Sequence, residues 1–111
     1  MIGERFFAAL RKGSYVVNTA RGGVVDIDAL LRALDAGILA GAGLDVLPVE
    51  PLADGSPLRT HPRVVLTPHA AFYSQESERE LRRKAAQNLA TWIGTGRPEY
   101  VVTCGTRKLV S

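Results

Sequence analysis

The sequence predicts an α/β domain built on a parallel sheet, and three observations predict it. Short β-prone runs alternate with segments of helical periodicity. Each run stops in a polar or proline-bearing turn: Asn18-Thr19-Ala20-Arg21-Gly22-Gly23, the chain from Pro48, and Thr67-Pro68-His69. Finally, the connections are long enough for the right-handed crossovers that join parallel strands.

In chain order, residues 3–11 read as a helix with Phe6, Phe7 and Leu10 on one side, stopped by Gly13. Tyr15-Val16-Val17 reads as a short buried strand. Asp26 is a good N-cap for a second helix, whose Ile27, Leu30, Leu31 and Leu34 follow the i, i+3, i+4, i+7 rule up to Gly37. Residues 40–47 read as a second buried strand, with small residues that allow close helix packing and Asp45 near its end. Pro48 to Pro62 shows no period and reads as a loop. Val64 to Leu66 is the third strand. It must end at Pro68, which lacks an N–H and biases Thr67 to an extended backbone.

Ser74 is the expected N-cap of a long helix to about Ile93, with Gly94 and Gly96 ending it. Its apolar stripe is Leu81, Ala85, Leu89 and Trp92; Glu78–Arg82 and Glu80–Lys84 are favourable i, i+4 pairs on the other side. Tyr100-Val101-Val102 reads as a last extended segment. Residues 1–103 form one partial domain and 104–111 a C-terminal tail. Three strands cannot make a covered doubly wound sheet, and the chain opens on a helix, so the sequence reads like half of a larger domain.

The 111 residues suffice for one small domain, and 46% hydrophobic with 23% charged residues exclude disorder. The net charge of +3 is dispersed: Arg82-Arg83-Lys84 is offset by Glu76, Glu78 and Glu80, so no nucleic-acid patch forms. One cysteine, Cys104, allows no internal disulfide and fits a cytoplasmic compartment. No apolar run reaches membrane-spanning length, and the N-terminus lacks the regions of a signal peptide. No metal-ligand spacing is present.

In a parallel sheet all strand exits lie on one edge, so Arg21, Glu50 and His69 can converge there. Arginine offers a planar fork for a carboxylate, and a glutamate beside histidine orients the imidazole and stabilises its charge. That set suits a reaction exchanging a proton and a hydride at a hydroxyl-bearing carbon next to a carboxylate. Singly, each residue has an ordinary explanation: Arg21 as a helix-entry surface residue, Glu50 as a loop charge, His69 as a strand-end histidine bonded to a neighbour. Asp45 has buried and capping roles equally open to it. Gly41-Ala42-Gly43-Leu44-Asp45-Val46 begins like a dinucleotide fingerprint, but its glycines lie inside a strand and position 46 is valine, so it cannot cradle phosphate.

Three stretches, Asn18 to Asp26, Ala40 to Val46 with Glu50-Pro51, and Leu66 to His69, resemble the C-terminal part of the D-isomer-specific 2-hydroxyacid dehydrogenases. Twenty-eight residues separate Arg21 from Glu50 and eighteen separate Glu50 from His69, which fits that family in order and spacing. The resemblance covers about residues 1–103. It implies the C-terminal half of a Rossmann-like doubly wound parallel sheet, incomplete in this chain, and an NAD-dependent oxidoreductase acting on a small 2-hydroxy or 2-oxo acid.

By that resemblance His69 is the general acid/base, Glu50 pairs with it, and Arg21 binds the substrate carboxylate and carbonyl oxygen. Asp45 binds the nicotinamide carboxamide, with Thr19, Ala20, Arg21 and His69 lining the ring. The last helix carries the chain back toward the substrate domain. His69-Ala70-Ala71-Phe72-Tyr73-Ser74 looks closer to the branch that includes the C-terminal-binding-protein corepressors. The family's glycine-rich phosphate loop and acidic ribose-binding residue have no counterpart here. The expectation is that the chain alone binds NAD poorly and turns nothing over, and that NAD against NADP stays open. The alternative is a non-catalytic dimerisation or corepressor-like interaction module, a homo-oligomer or the partner of a full-length subunit. Neither reading involves a membrane or direct nucleic-acid binding.

Overall fold

The computed structural model describes residues 2–101, and the chain divides into two compact units after Phe72. The first unit contains α1 (Glu4–Ala8), β1 (Ser14–Asn18), α2 (Ile27–Asp35), β2 (Leu39–Leu44) and β3 (Val64–Leu66), with 3₁₀ turns at Gly22–Val24 and Pro57–Arg59. The strands form one parallel sheet in the order β1-β2-β3, as the alternation of elements predicts. Val17, Gly43 and Val65 stand side by side across it.

The second helix forms for the reasons read from its sequence. Asp26 accepts the Ala29 N–H at 3.0 Å, and Leu30 and Leu34 are fully buried against β2. Its end is a Schellman motif: the Gly37 N–H reaches the Leu34 carbonyl, the Ile38 N–H reaches Ala33, and Gly37 takes φ 68°. Phe7, Leu39, Leu44 and Leu58 complete the core.

Several expectations need correction. α1 is shorter than residues 3–11, and Phe6 does not share the face of Phe7: Phe7 is buried and Phe6 is 47% exposed. Consecutive helical residues point about 100° apart, whereas Phe7 and Leu10 are three apart and do share a face. β1 is not buried on both sides. Tyr15 and Val17 are about three-quarters exposed, as is much of Val65, because alternate strand residues face opposite sides and the core of this unit lies on one. β2 stops at Leu44, three residues early. Its glycines serve a neighbouring strand rather than a helix: a Cβ at Gly41 would stand 3.0 Å from the Tyr15 ring. The 48–62 loop contains the Pro57–Arg59 turn, capped by Ser56.

The second unit carries α3 (Gln75–Thr95). A reciprocal Ser74–Ser77 capping box starts it. Gly94 lies inside the helix; Gly96, at φ 72°, ends it. Arg82 pairs with Glu78, and Lys84 with Glu80 at 2.9 Å, as expected from their spacing. No residue of the predicted apolar stripe is buried: Leu81, Leu89 and Trp92 are 64%, 54% and 45% exposed. Tyr100 and Val101 form no strand; Val102 and the predicted tail at 104–111 lie outside the described residues. Among the described residues, no helix is long and apolar enough to cross a membrane.

Candidate active site

The three strand exits of the first unit are organised by different polar devices. After β1, buried Asn18 folds the turn onto itself. Its Oδ1 accepts the Ala20 N–H at 3.1 Å and its Nδ2 donates to the Arg21 carbonyl at 3.0 Å. Thr19, Ala20 and Arg21 are thereby held at the surface. The Arg21 guanidinium donates to the Ala20 carbonyl at 2.7 Å. Among the described residues, no hydrogen bond or ion pair joins it to Glu50 or His69.

Gly22 follows and is buried against the next exit. A Cβ there would sit 1.9 Å from the Leu47 carbonyl carbon and 2.3 Å from the Pro48 nitrogen, so only glycine lets these two backbones approach. The turn bearing Arg21 thus rests directly on the loop bearing Glu50.

Glu50 and His69 do meet. His69 Nδ1 lies 2.9 Å from Glu50 Oε2, and Glu50 Oε1 accepts the Leu47 N–H at 2.8 Å. The His69 hydrogen bond, then the Leu47 N–H, hold the Glu50 carboxyl below the usual glutamate range. With Nδ1 committed to Glu50, Nε2 is the ring nitrogen left for other chemistry.

Asp45 sits one residue past β2, buried, and binds the chain around His69 rather than His69 itself. The Thr67 hydroxyl donates to its Oδ1 at 2.5 Å, the Ala70 N–H to the same oxygen at 2.9 Å, and the Ala71 N–H to Oδ2 at 3.0 Å. The Thr67 hydroxyl above all lowers its pKa; the two backbone donors and the charge of His69 add to the effect, against the cost of burial.

An open cleft of about 510 Å³ lies over this region, lined by Glu50, Leu52, Arg59, Leu66, Thr67 and His69 among others. Its walls are mostly apolar, with Asp45, Glu50, Arg59, Thr67 and His69 as the polar residues of the lining. Arg59 escaped the sequence reading because its loop has no period. It donates to the Leu52 carbonyl at 2.6 Å and the Ala53 carbonyl at 3.1 Å, and pairs with Asp54, bracing the segment just after Glu50. Asn18 was also missed, although an asparagine at the mouth of a turn is a recognisable signal. Among the described residues, no group of three or more His, Cys, Asp or Glu side chains is placed to hold a metal ion.

Residues 1–71 match the family described as "D-isomer specific 2-hydroxyacid dehydrogenase, NAD binding domain". The chain is 44% identical over 102 residues to a glyoxylate reductase of Thermofilum pendens, covering 92% of this chain and 30% of that protein. It is 40% identical over 110 residues to the chloroplastic D-3-phosphoglycerate dehydrogenase 3 of Arabidopsis thaliana, covering 99% of this chain and 18% of the relative. A crystal structure of a glyoxylate reductase from Paecilomyes thermophila superposes with a TM-score of 0.81 at 37% identity, over 92% of this chain and 31% of the other. The chain therefore spans less than a third of the length of each of these relatives.

Proposed function

Because this chain belongs to the D-isomer specific 2-hydroxyacid dehydrogenase family, we propose that it carries the acid/base side of an NAD-dependent hydride transfer on a small 2-hydroxy or 2-oxo acid. The observation that carries this is the His69–Glu50 pair, held at 2.9 Å in the lining of a cleft. A nicotinamide held beside these residues would supply the hydride chemistry at the substrate's C2.

In the direction of reduction, protonated His69 gives the Nε2 proton to the 2-oxo oxygen. In the reverse direction neutral His69 takes the hydroxyl proton. Glu50 stabilises the imidazolium and, as acceptor from Nδ1–H, fixes the ring's orientation. Among the described residues Arg21 commits one donor, to the Ala20 carbonyl, and a guanidinium has five, which suits it to the substrate carboxylate. Asp45, the Thr19–Arg21 turn and His69 are the residues proposed to hold the nicotinamide. The chemistry fits: the Asp45 carboxylate receives three donors and keeps acceptor capacity for an amide N–H. A cytoplasmic setting belongs to the same reading, supported by the single cysteine.

The test is to graft residues 2–101 into the glyoxylate reductase of Thermofilum pendens in place of its matching segment and to assay glyoxylate reduction with NADH and NADPH. A folded graft should turn over, and His69→Ala should lower its rate by about 10²- to 10⁴-fold. A folded graft that is inactive, or indifferent to His69→Ala, overturns the proposal.

One observation favours a second reading, a non-catalytic pairing module. Tyr15, Val17 and Val65 leave one apolar sheet face exposed within the first unit. Co-purification with a longer homologous subunit, or self-association lost in Val17→Lys, supports it; a monomer that recovers no such subunit counts against it.

A further inference from the structure

His69 is the one non-glycine residue with a positive φ among the described residues, at 54°. A side chain in the left-handed region costs free energy and persists where the surroundings over-determine it. The surroundings here are largely one carboxylate. Asp45 takes its three hydrogen bonds from Thr67, Ala70 and Ala71, so its partners flank His69 on both sides in sequence. The Thr67 N–H is tied to the Leu44 carbonyl at 3.1 Å, and the His69 N–H turns back to the Thr67 carbonyl at 3.0 Å. Relaxing His69 to an ordinary φ would redirect the peptides that follow it and pull the Ala70 and Ala71 N–H groups off Asp45.

We propose that Asp45 is a positioning residue for the His69–Glu50 pair: its carboxylate holds the left-handed turn that aims the imidazole at Glu50. The proposal deepens the acid/base reading of His69 and rests on it. All three hydrogen bonds to Asp45 among the described residues come from donors, so the carboxylate is the matching group. An amide at this position would set its NH₂ against an N–H or a hydroxyl. Glu50 is anchored separately by the Leu47 N–H. Each partner of the pair therefore has its own clamp, and both clamping groups, the Leu47 N–H for Glu50 and the Asp45 carboxylate for the His69 turn, lie just after β2.

The test uses the 111-residue protein, without cofactor or substrate, by NMR. Three quantities are read: amide exchange at Ala70 and Ala71, the His69 N–H to Hα coupling that reports φ, and the titration midpoint of the Glu50 carboxyl. Asp45→Asn should speed exchange at Ala70 and Ala71 by about tenfold or more and move the His69 coupling out of the left-handed range. Thr67→Val, which keeps the carboxylate and removes one clamp bond, should produce the same changes in smaller degree.

The Glu50 midpoint separates positioning from a merely structural role. The His69 hydrogen bond lowers it and the Asp45 charge raises it. Removing the charge alone would move the midpoint down, whereas losing His69 moves it up. A rise in both variants supports the proposal. A fall in Asp45→Asn, or a midpoint unmoved in folded Thr67→Val, overturns it. If Asp45→Asn does not fold, Thr67→Val decides alone. No cofactor enters, so this result and the grafted-chain assay can fail independently.

Discussion

Gly22 lies flat against the Leu47 carbonyl, so close that a Cβ on it would stand 1.9 Å from the carbonyl carbon. This contact joins the turn carrying Arg21 to the loop carrying Glu50. Gly22→Ala should destabilise the protein by about 1–3 kcal/mol, the usual cost of overpacking. Gly23→Ala meets nothing within 4 Å and should be close to neutral. Urea denaturation of the two variants checks the contrast, and equal effects would deny the contact its role.

Glu50→Gln keeps a hydrogen-bonding group beside His69 but removes the charge that stabilises the imidazolium. In the grafted enzyme it should lower kcat by at least about tenfold while leaving the substrate KM nearly unchanged. A variant that raises KM and spares kcat would move Glu50 from the proton-transfer step to substrate binding.

The carboxyls of Asp45 and Glu50 are both held below their ordinary values, by the Thr67 hydroxyl and the His69 imidazole respectively. A depressed carboxyl pKa adds stability that is fully present above the unfolded value and is lost as pH falls through the folded one. The contribution of these two groups to the first unit should therefore be complete and independent of pH near neutrality, and should weaken on acidification below their ordinary values of 3.8 and 4.5. Urea midpoints taken from pH 7 down to pH 3 should fall less steeply in Glu50→Gln than in the parent. Parallel curves would mean that the pair adds nothing to folding.

Leu30 is fully buried between α2 and the sheet. Leu30→Ala should cost about 2–5 kcal/mol through lost burial and the cavity left behind. Leu81→Ala on α3, where the side chain is mostly exposed within its unit, should cost far less. Thermal unfolding of both variants gives the comparison.

Much of the frame that carries the candidate site was legible in the chain. Pro68 and the turn at Asn18 mark strand ends, Asp26 and Ser74 mark helix starts, and β3 falls on the residues expected. Such signals are local: a missing N–H, a capping oxygen, a 3.6-residue period. Which face of β1 is covered was not legible, because burial depends on what packs above Tyr15 and Val17. The part played by Arg59 was hidden for a like reason, since its partners are backbone carbonyls that carry no sequence signal.

The sequence by itself determined the parallel α/β order, the family, and the candidates Arg21, Glu50 and His69, because residue type, spacing and periodicity are properties of the string. Only the tertiary structure decided that Glu50 and His69 touch, that Arg21 bonds its own turn, and that Asp45 accepts from the Thr67 hydroxyl before His69 and from the Ala70 and Ala71 N–H groups after it. Those outcomes depend on a parallel register that brings exits 19 to 26 residues apart within hydrogen-bonding range. They depend as well on a left-handed φ at one histidine. Contacts so distant in sequence, and a backbone angle they stabilise, exist only once the sheet has formed.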